Sequence, residues 1–259
     1  MQNNTFSTLF VGQNLIRLSA VDSTNNFLKE MVSKSEPLPE GTVIMADNQF
    51  AGRGQQENTW HATAGLNLTF SIFFKPAFLP INKQFMLNIA VSIGVRKALQ
   101  QIVPQGIKVK WPNDIYFGDR KLGGILIENT LSGNCYKSSI VGIGINVNQE
   151  EFNPDQVKRA TSLCKILQAD VNLIDLLGQI CGSIEAEYFK LKSGNYTALL
   201  TEYLKGLYRF NEEAAYREGL IIFKGRIRDV TETGQLIIEV EGRNKSYNFK
   251  EIEFLNNTR

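Results

Sequence analysis

The five residues Lys110-Trp111-Pro112-Asn113-Asp114 leave the backbone little choice. A proline holds its own φ near one value and pushes the residue before it to extended backbone, so Pro112 ends a strand sharply. Residues 107–111 read as that strand. Trp111 is costly in a turn unless its ring packs against something. Asn113 and Asp114 then stand at a strand end, where ligand-reading side chains often lie. The competing reading is a β-turn with Trp111 in the core and Asn113-Asp114 as turn formers. The segment alone does not choose between the two.

Apolar spacing around it suggests a mixed α and β chain. Alternation predicts strands over 15–21, 42–46 and 66–74, and further strands over 121–128 and 139–146, a neighbouring pair. Asp22-Ser23-Thr24-Asn25 supplies cap chemistry for a helix carrying Phe27, Leu28 and Met31 on one face. Apolar positions recurring at three and four predict helices over 85–102, 175–192 and 196–208. Residues 47–59 are polar and Gly-containing, hence a loop, and one expected to order over a ligand. From Gly219 the pattern changes to short strands over 220–226, 227–230, 235–240 and 246–254, which reads as a separate small β-barrel.

Composition removes several function classes. A net charge of +2 gives no general affinity for nucleic acid or anionic membrane. His61 is the only histidine, so multi-His metal sites and His-based triads have no material. Cys135, Cys164 and Cys181 lack metal-ligand spacing and read as buried thiols in a reducing compartment. With neither a secretory signal nor a long apolar run, the cytoplasm is the expected location.

What remains is chemistry on anions. Gly52-Arg53-Gly54 places a planar cation between two residues that let backbone approach a ligand closely, although a lone tripeptide of this kind is usually a surface turn. Gln49 just upstream offers a donor and an acceptor. In Arg120-Lys121-Leu122-Gly123-Gly124, Lys121 enters a strand beside two glycines. Such a lysine is ordinarily solvated, but beside the Trp-Pro segment it becomes a counter-charge for a carboxylate or phosphate. Gly142-Ile143-Gly144-Ile145-Asn146 is a Gly-interrupted strand; it is not a dinucleotide fingerprint, because no helix with a third Gly follows.

Taken in order, Ser23-Thr24-Asn25, Gln49, Gly52-Arg53-Gly54, Trp60, Lys110-Trp111-Pro112-Asn113-Asp114, Arg120-Lys121-Leu122-Gly123-Gly124 and Gly142 to Asn146 resemble the motifs of biotin–protein ligases, in the short form without an N-terminal helix-turn-helix. The resemblance runs from about Ile16 to Asn148 and more loosely beyond. It implies an α+β fold like that of class II aminoacyl-tRNA synthetases and lipoate ligases, a largely antiparallel mixed sheet flanked by helices over residues 1–213. An SH3-like barrel over 214–259 is implied with it. The implied activity is ATP-dependent attachment of biotin to a lysine of a biotin carboxyl carrier protein through biotinyl-AMP, with Mg²⁺ accompanying ATP. Oligomeric state stays open, a homodimer included; nucleic acid and membrane are not expected partners.

The same resemblance assigns roles. Ser23, Thr24 and Gln49 would bind the biotin head group, with Asn25 in the same motif and Trp60 in the ordered set. Gly52, Arg53, Gly54 and Gln55 would belong to the loop that closes over biotin and the adenylate. Lys121 would neutralise the biotin carboxylate and the α-phosphate. Lys110, Asn113 and Asp114 would line the nucleotide side, Gly124 would leave room for the ring, and Asn146 would lie near the phosphates. Arg53, Lys121 and Lys110 would carry the catalysis; the metal ligands are unassigned. Two departures stand out. The family usually reads Gly-Arg-Gly-Arg, whereas this chain has Gln55 at the fourth place, and Gln56-Glu57-Asn58 adds no further cation. Phe249-Lys250-Glu251 replaces the usual tail turn, so no functional residue is carried over from the barrel. A lipoate or octanoate ligase or transferase of the same fold is the alternative.

Overall fold

The computed structural model describes residues 6–34, 37–55, 58–133, 135–153, 157 and 159–255. Seven strands build the main sheet: β1 (Leu15–Val21), β2 (Val43–Gln49), β3 (Leu68–Phe74), β4 (Ile107–Lys110), β5 (Asp114–Phe117), β6 (Arg120–Ser132) and β7 (Cys135–Ile145), in spatial order β1-β2-β3-β7-β6-β5-β4. Only β1 and β2 pair in parallel; every other neighbour is antiparallel. The expected mixed, largely antiparallel sheet is what forms.

Side-chain alternation divides the sheet into two faces. Leu28 of helix α1 (Thr24–Ser33) packs with Ile44, Phe73 and Ile140 on one face. Val43, Met45, Phe70, Ile72 and Phe74 point the other way, into the larger core beneath α2 (Phe85–Ile102). Behind α2 lie α4 (Leu173–Lys192) and α5 (Tyr196–Lys205), with the short α3 (Leu163–Leu167) preceding them. β3 is buried along its whole length because both faces and both edges are covered. Register then fixes who shares a face with α1. Ser71 pairs with Ile44 on one side and Gly142 on the other, Gly142 with Leu126, and Ile140 with Glu128.

The C-terminal strands β8 (Glu213–Glu218), β9 (Ile221–Val230), β10 (Leu236–Val240), β11 (Arg243–Tyr247) and β12 (Glu253–Phe254) form a separate antiparallel sheet in order β11-β10-β9-β8-β12. Trp111 ties it to the main body. Its ring is buried, stands edge-on to Phe249 at 6.2 Å, and its indole N–H donates to the Gly234 carbonyl at 2.9 Å. The turn reading and the packing reading of Trp111 are thus both realised. Trp111→Phe removes the N–H donor together with the second ring of a buried indole, so the melting midpoint should drop by at least about 2–4 °C, the effect of roughly 1 kcal/mol in a chain of this size. A midpoint equal to the parent's would show that this bond adds nothing to docking.

Several boundaries differ from the sequence reading. β2 runs on to Gln49 because Asn48 and Gln49 pair with Ala20 and Val21, so the loop begins at Phe50 rather than Asp47. β3 begins at Leu68, not at residue 66. The four-residue β5 was hidden in a segment that reads as turn, and β8 in one with too few apolar positions. Residues 221–230 form one strand instead of two, and 246–254 divides between β11 and β12. The helix predicted over 196–208 ends at Lys205, where Gly206 caps it. Cys164 and Cys181 are buried as expected, but Cys135 is exposed at the β6–β7 turn.

Candidate active site

A cleft of about 770 Å³ opens at the N-terminus of α1, on the same sheet face, and continues to the C-terminal sheet. Its floor exists because glycines stand where side chains would fill it. A Cβ on Gly142 would collide with the Asn25 carboxamide, and one on Gly144 with the Trp60 indole. A Cβ on Gly124 would lie 3.3 Å from Asp114 Oδ1 and 3.5 Å from Lys121 Nζ. Three glycines on adjacent strands thus buy depth at the cost of side-chain packing.

One end of the cleft is neutral and polar. The backbone N–H and the hydroxyl of Thr24 lie 2.9 and 3.2 Å from Gln49 Oε1. The Ser71 hydroxyl lies 2.7 Å from Thr24 Oγ1 and 2.6 Å from Asn25 Oδ1. Ser23, Thr24 and Asn25 are all buried. An array of fixed donors and acceptors beside a glycine floor suits a small ring with its own donors and acceptors.

Over this end fold residues 52–55 and 58–60. Trp60 N–H donates to Gly52 O at 2.9 Å, Gly54 N–H to Asn58 O at 2.7 Å, and Arg53 bridges Thr59. Gly52 has no room for a side chain, since a Cβ would strike Trp60 O and crowd Gln49 Nε2. Gln56 and Glu57, named above for their lack of cations, lie outside the described residues. Arg53 donates to Glu128 Oε1 at 3.0 Å and to Asn26 Oδ1 at 2.7 Å. Trp60 Nε1 and Gln55 Oε1 are buried with no partner among the described residues, which marks both as groups for a ligand to satisfy.

The other end is cationic. Lys121 Nζ pairs with Asp114 Oδ1 at 2.6 Å. Lys110 Nζ sits 4.8 Å from the Tyr116 ring centre and 5.1 Å from that of Phe254, and donates to Tyr116 Oη at 3.1 Å. Burial pushes the Lys110 ammonium below the usual lysine pKa; Arg209, Lys121 and Arg159 push the same way, against Asp114. Burial likewise raises the Tyr116 phenol, so it stays protonated. Four cations around one volume are tolerable when an anion completes it.

Two expected positions fall elsewhere. Asn146 does not line the cleft. Its side-chain amide donates to Thr161 O at 3.0 Å, and its backbone binds Leu122 O and Leu163 N. It therefore seats residues 160–163 against the start of β6, where Lys121 N–H donates to Arg159 O at 2.7 Å. Asn113 lines the cleft, but its amide is already given to Ile125 O, so its work is to hold β5 to β6. Gly52 shapes the loop from behind without reaching the cleft surface.

The structure also adds residues that the sequence did not single out: Glu128, Arg159, Tyr116, Tyr208, Arg209 and, from the tail, Phe254. Glu128 had a signal, as the one acid interrupting an apolar strand. Arg159 had none, lying in a polar stretch brought to the cleft where its carbonyl accepts the Lys121 N–H and Ala160 bridges Lys121.

Comparison with known proteins agrees with this geometry. Residues 18–146 match the model of the biotin/lipoate A/B protein ligase family. The chain is 30% identical to the bifunctional ligase/repressor BirA of Bacillus spizizenii over 93% of its own length and 74% of that protein. It is 27% identical to the biotin–[acetyl-CoA-carboxylase] ligase of Mycobacterium tuberculosis, over 79% and 75%. Among solved structures, a biotin protein ligase from Aquifex aeolicus in complex with biotin and ATP superposes with a TM-score of 0.77 at 30% identity, covering 93% of this chain and 97% of that one. The chain belongs to the biotin/lipoate A/B protein ligase family. Within that family it falls with the biotin–protein ligases.

Proposed function

We propose that this chain joins biotin to a lysine of a biotin carboxyl carrier protein, using ATP and passing through biotinyl-AMP. The carrying observation is the continuity of the cleft, neutral and polar at Thr24 and Gln49, cationic at Lys121, Lys110, Arg159 and Arg209. Biotin has that polarity, with a ureido ring at one end and a carboxylate at the other. The choice of acceptor is supported by the name of one relative, an acetyl-CoA-carboxylase ligase. A lipoate ligase reading is not favoured, since the relatives and structures named above are biotin ligases. We place the domain division at Glu213, where β8 begins, and the setting in the cytoplasm; no described helix is long and apolar enough to cross a membrane.

In the first step a biotin carboxylate oxygen attacks the α-phosphorus of ATP, and pyrophosphate leaves. In the second the acceptor amine attacks the biotinyl carbonyl, AMP leaves as the phosphate anion, and the amine loses a proton. Neither step needs a nucleophile from the protein. Both need positive charge where oxyanions crowd, worth most in a site closed to water. Lys121 is poised for the carboxylate and α-phosphate, Lys110 and Arg159 for the nucleotide side, and the segment carrying Arg53 covers the head group. A magnesium ion fits a cleft with carboxylates on its wall, since Mg²⁺ is ordinarily held by nucleotide phosphates with one or two carboxylates. Asp114 and Glu253 at the cleft could serve, and the ion would neutralise phosphate charge.

Exchange of labelled pyrophosphate into ATP should require biotin, and in a separate assay with labelled biotin the label should pass to a carrier domain. Exchange indifferent to biotin, or selective for lipoate, would sink the proposal. Amides of residues 50–55 and 58–60 should gain hydrogen-exchange protection on adding biotin with ATP. Equal protection in both states would refute closure of this segment.

A further inference from the structure

Glu128 stands in β6 beyond the residues that touch the cationic end, yet its carboxylate gathers three donors. Lys29 Nζ lies 2.6 Å from Oε1, Arg53 Nη2 3.0 Å from Oε1, and Asn25 Nδ2 2.8 Å from Oε2. The Arg53 fork reaches both oxygens, its Nη1 at 3.4 Å from Oε2. These cations and the Asn25 bond hold the carboxyl below its usual range against the opposing effect of burial.

An ionised carboxylate only accepts, and so does the Leu126 carbonyl 3.4 Å from the same amide nitrogen; with the shorter bond to Glu128 they set how Asn25 faces, the amide nitrogen toward β6 and the carbonyl oxygen toward Ser71. That carbonyl also only accepts, so the single Ser71 proton goes to Asn25 Oδ1 at 2.6 Å. With the Ser71 proton given to Asn25, the Ser71 oxygen is free to accept, and Thr24 Oγ1, 2.7 Å from it and 3.2 Å from Gln49 Oε1, has an acceptor on each side for its one proton. Gln49 Oε1 receives the Thr24 backbone N–H at 2.9 Å, and its amide nitrogen turns outward from that bond. One charge thus orders the donors and acceptors from Arg53 through Asn25 and Ser71 to the Thr24 hydroxyl, while Gln49 is set by the Thr24 backbone N–H. We infer that Glu128 is a positioning residue that couples the seating of the Arg53 segment to the polarity of the head-group end, through Asn25, Ser71 and Thr24. This rests on the biotin ligase reading for its ligand, but not for its mechanism.

Glu128→Gln tests it. The amide presents a donor where Asn25 needs an acceptor, and it removes the charge that Arg53 and Lys29 share. Without any ligand, amides of residues 50–55 should exchange faster in Glu128→Gln than in the parent. Biotin alone, titrated calorimetrically, should bind about tenfold more weakly, ~1.4 kcal/mol. Arg53→Gln should weaken binding too, and the double variant should be little worse than the weaker single one, the signature of one coupled unit. Glu128→Asp keeps the charge and should restore part of the affinity, separating positioning from damage to the strand. Unchanged exchange in Glu128→Gln, or losses that multiply in the double variant, would overturn the inference. A parent chain that fails to bind biotin would instead overturn the proposed function, leaving the exchange result to decide the coupling on its own.

Discussion

Lys121→Ala is expected to lower biotin-dependent ATP–pyrophosphate exchange by at least about a hundredfold, ~2.7 kcal/mol of transition-state stabilisation. The reaction brings a carboxylate against a phosphate, and the negative charge between them peaks as they join. Lys121 stands at the start of β6, where its backbone is held on both sides by Arg159 and Thr161. Its ammonium is therefore delivered by sheet and not by a free loop. In the structure it rests on Asp114 Oδ1, with both side chains partly exposed, so the pair by itself adds little stability. The folded state should tolerate the substitution.

Catalysis should not. Removal leaves Asp114 facing the incoming anions with its counter-charge gone, so repulsion is added to lost attraction. The sign of that second effect is separable. Adding Asp114→Asn to Lys121→Ala should recover part of the rate, while Asp114→Asn alone should not exceed the parent. Near-parent exchange by Lys121→Ala, with an unchanged melting midpoint, would show that the charge is supplied from elsewhere in the cleft.

The second expected result is slower loss of the intermediate in Gln55→Arg, by roughly tenfold or more. A charge-assisted bond to phosphate is typically worth ~1.5–3 kcal/mol, and the lower figure already corresponds to about tenfold. Gln55 lies in the cleft wall with Oε1 buried and without a partner among the described residues, so the position faces the ligand space. A neutral amide there can offer one dipole; a guanidinium would offer charge and a planar set of donors. Arg159 lines the same cleft, which makes it the natural substitute for the missing cation. A pulse of labelled biotin and ATP, chased cold, would follow released adenylate. Stray labelling of bystander lysines should fall in parallel. Release unchanged or faster in Gln55→Arg would show that retention does not depend on charge at this position, and Arg159→Ala would then be the variant to leak.

Much of this was legible from the chain alone, for reasons that are local. Period-two apolar runs marked β1, β2, β3, β6 and β7, because a strand buried on a face must alternate or be continuously apolar. The glycines at 124, 142 and 144 already said that something approaches the sheet closely there. Pro112 marked the end of β4 to within two residues.

What tertiary structure alone decided is which distant groups share a volume. Arg159 is charged and unremarkable until its carbonyl pairs with the Lys121 amide and brings it to the cleft. Asn146, expected near phosphates, turns out to brace the segment that carries Arg159, since its amide is already committed to Thr161. Phe254 reaches Lys110 only because Trp111 docks the C-terminal sheet against β4 and β5. Glu128 gains its meaning from strand register, which puts it on the α1 face beside Asn25 and within reach of Arg53. Periodicity and turn chemistry are properties of neighbours along the chain, so the sequence determined the elements and the motif residues. Donor–acceptor order and the sum of charges around a cleft are properties of neighbours in space, and only the packed sheet, with its register and its docked tail, could set them.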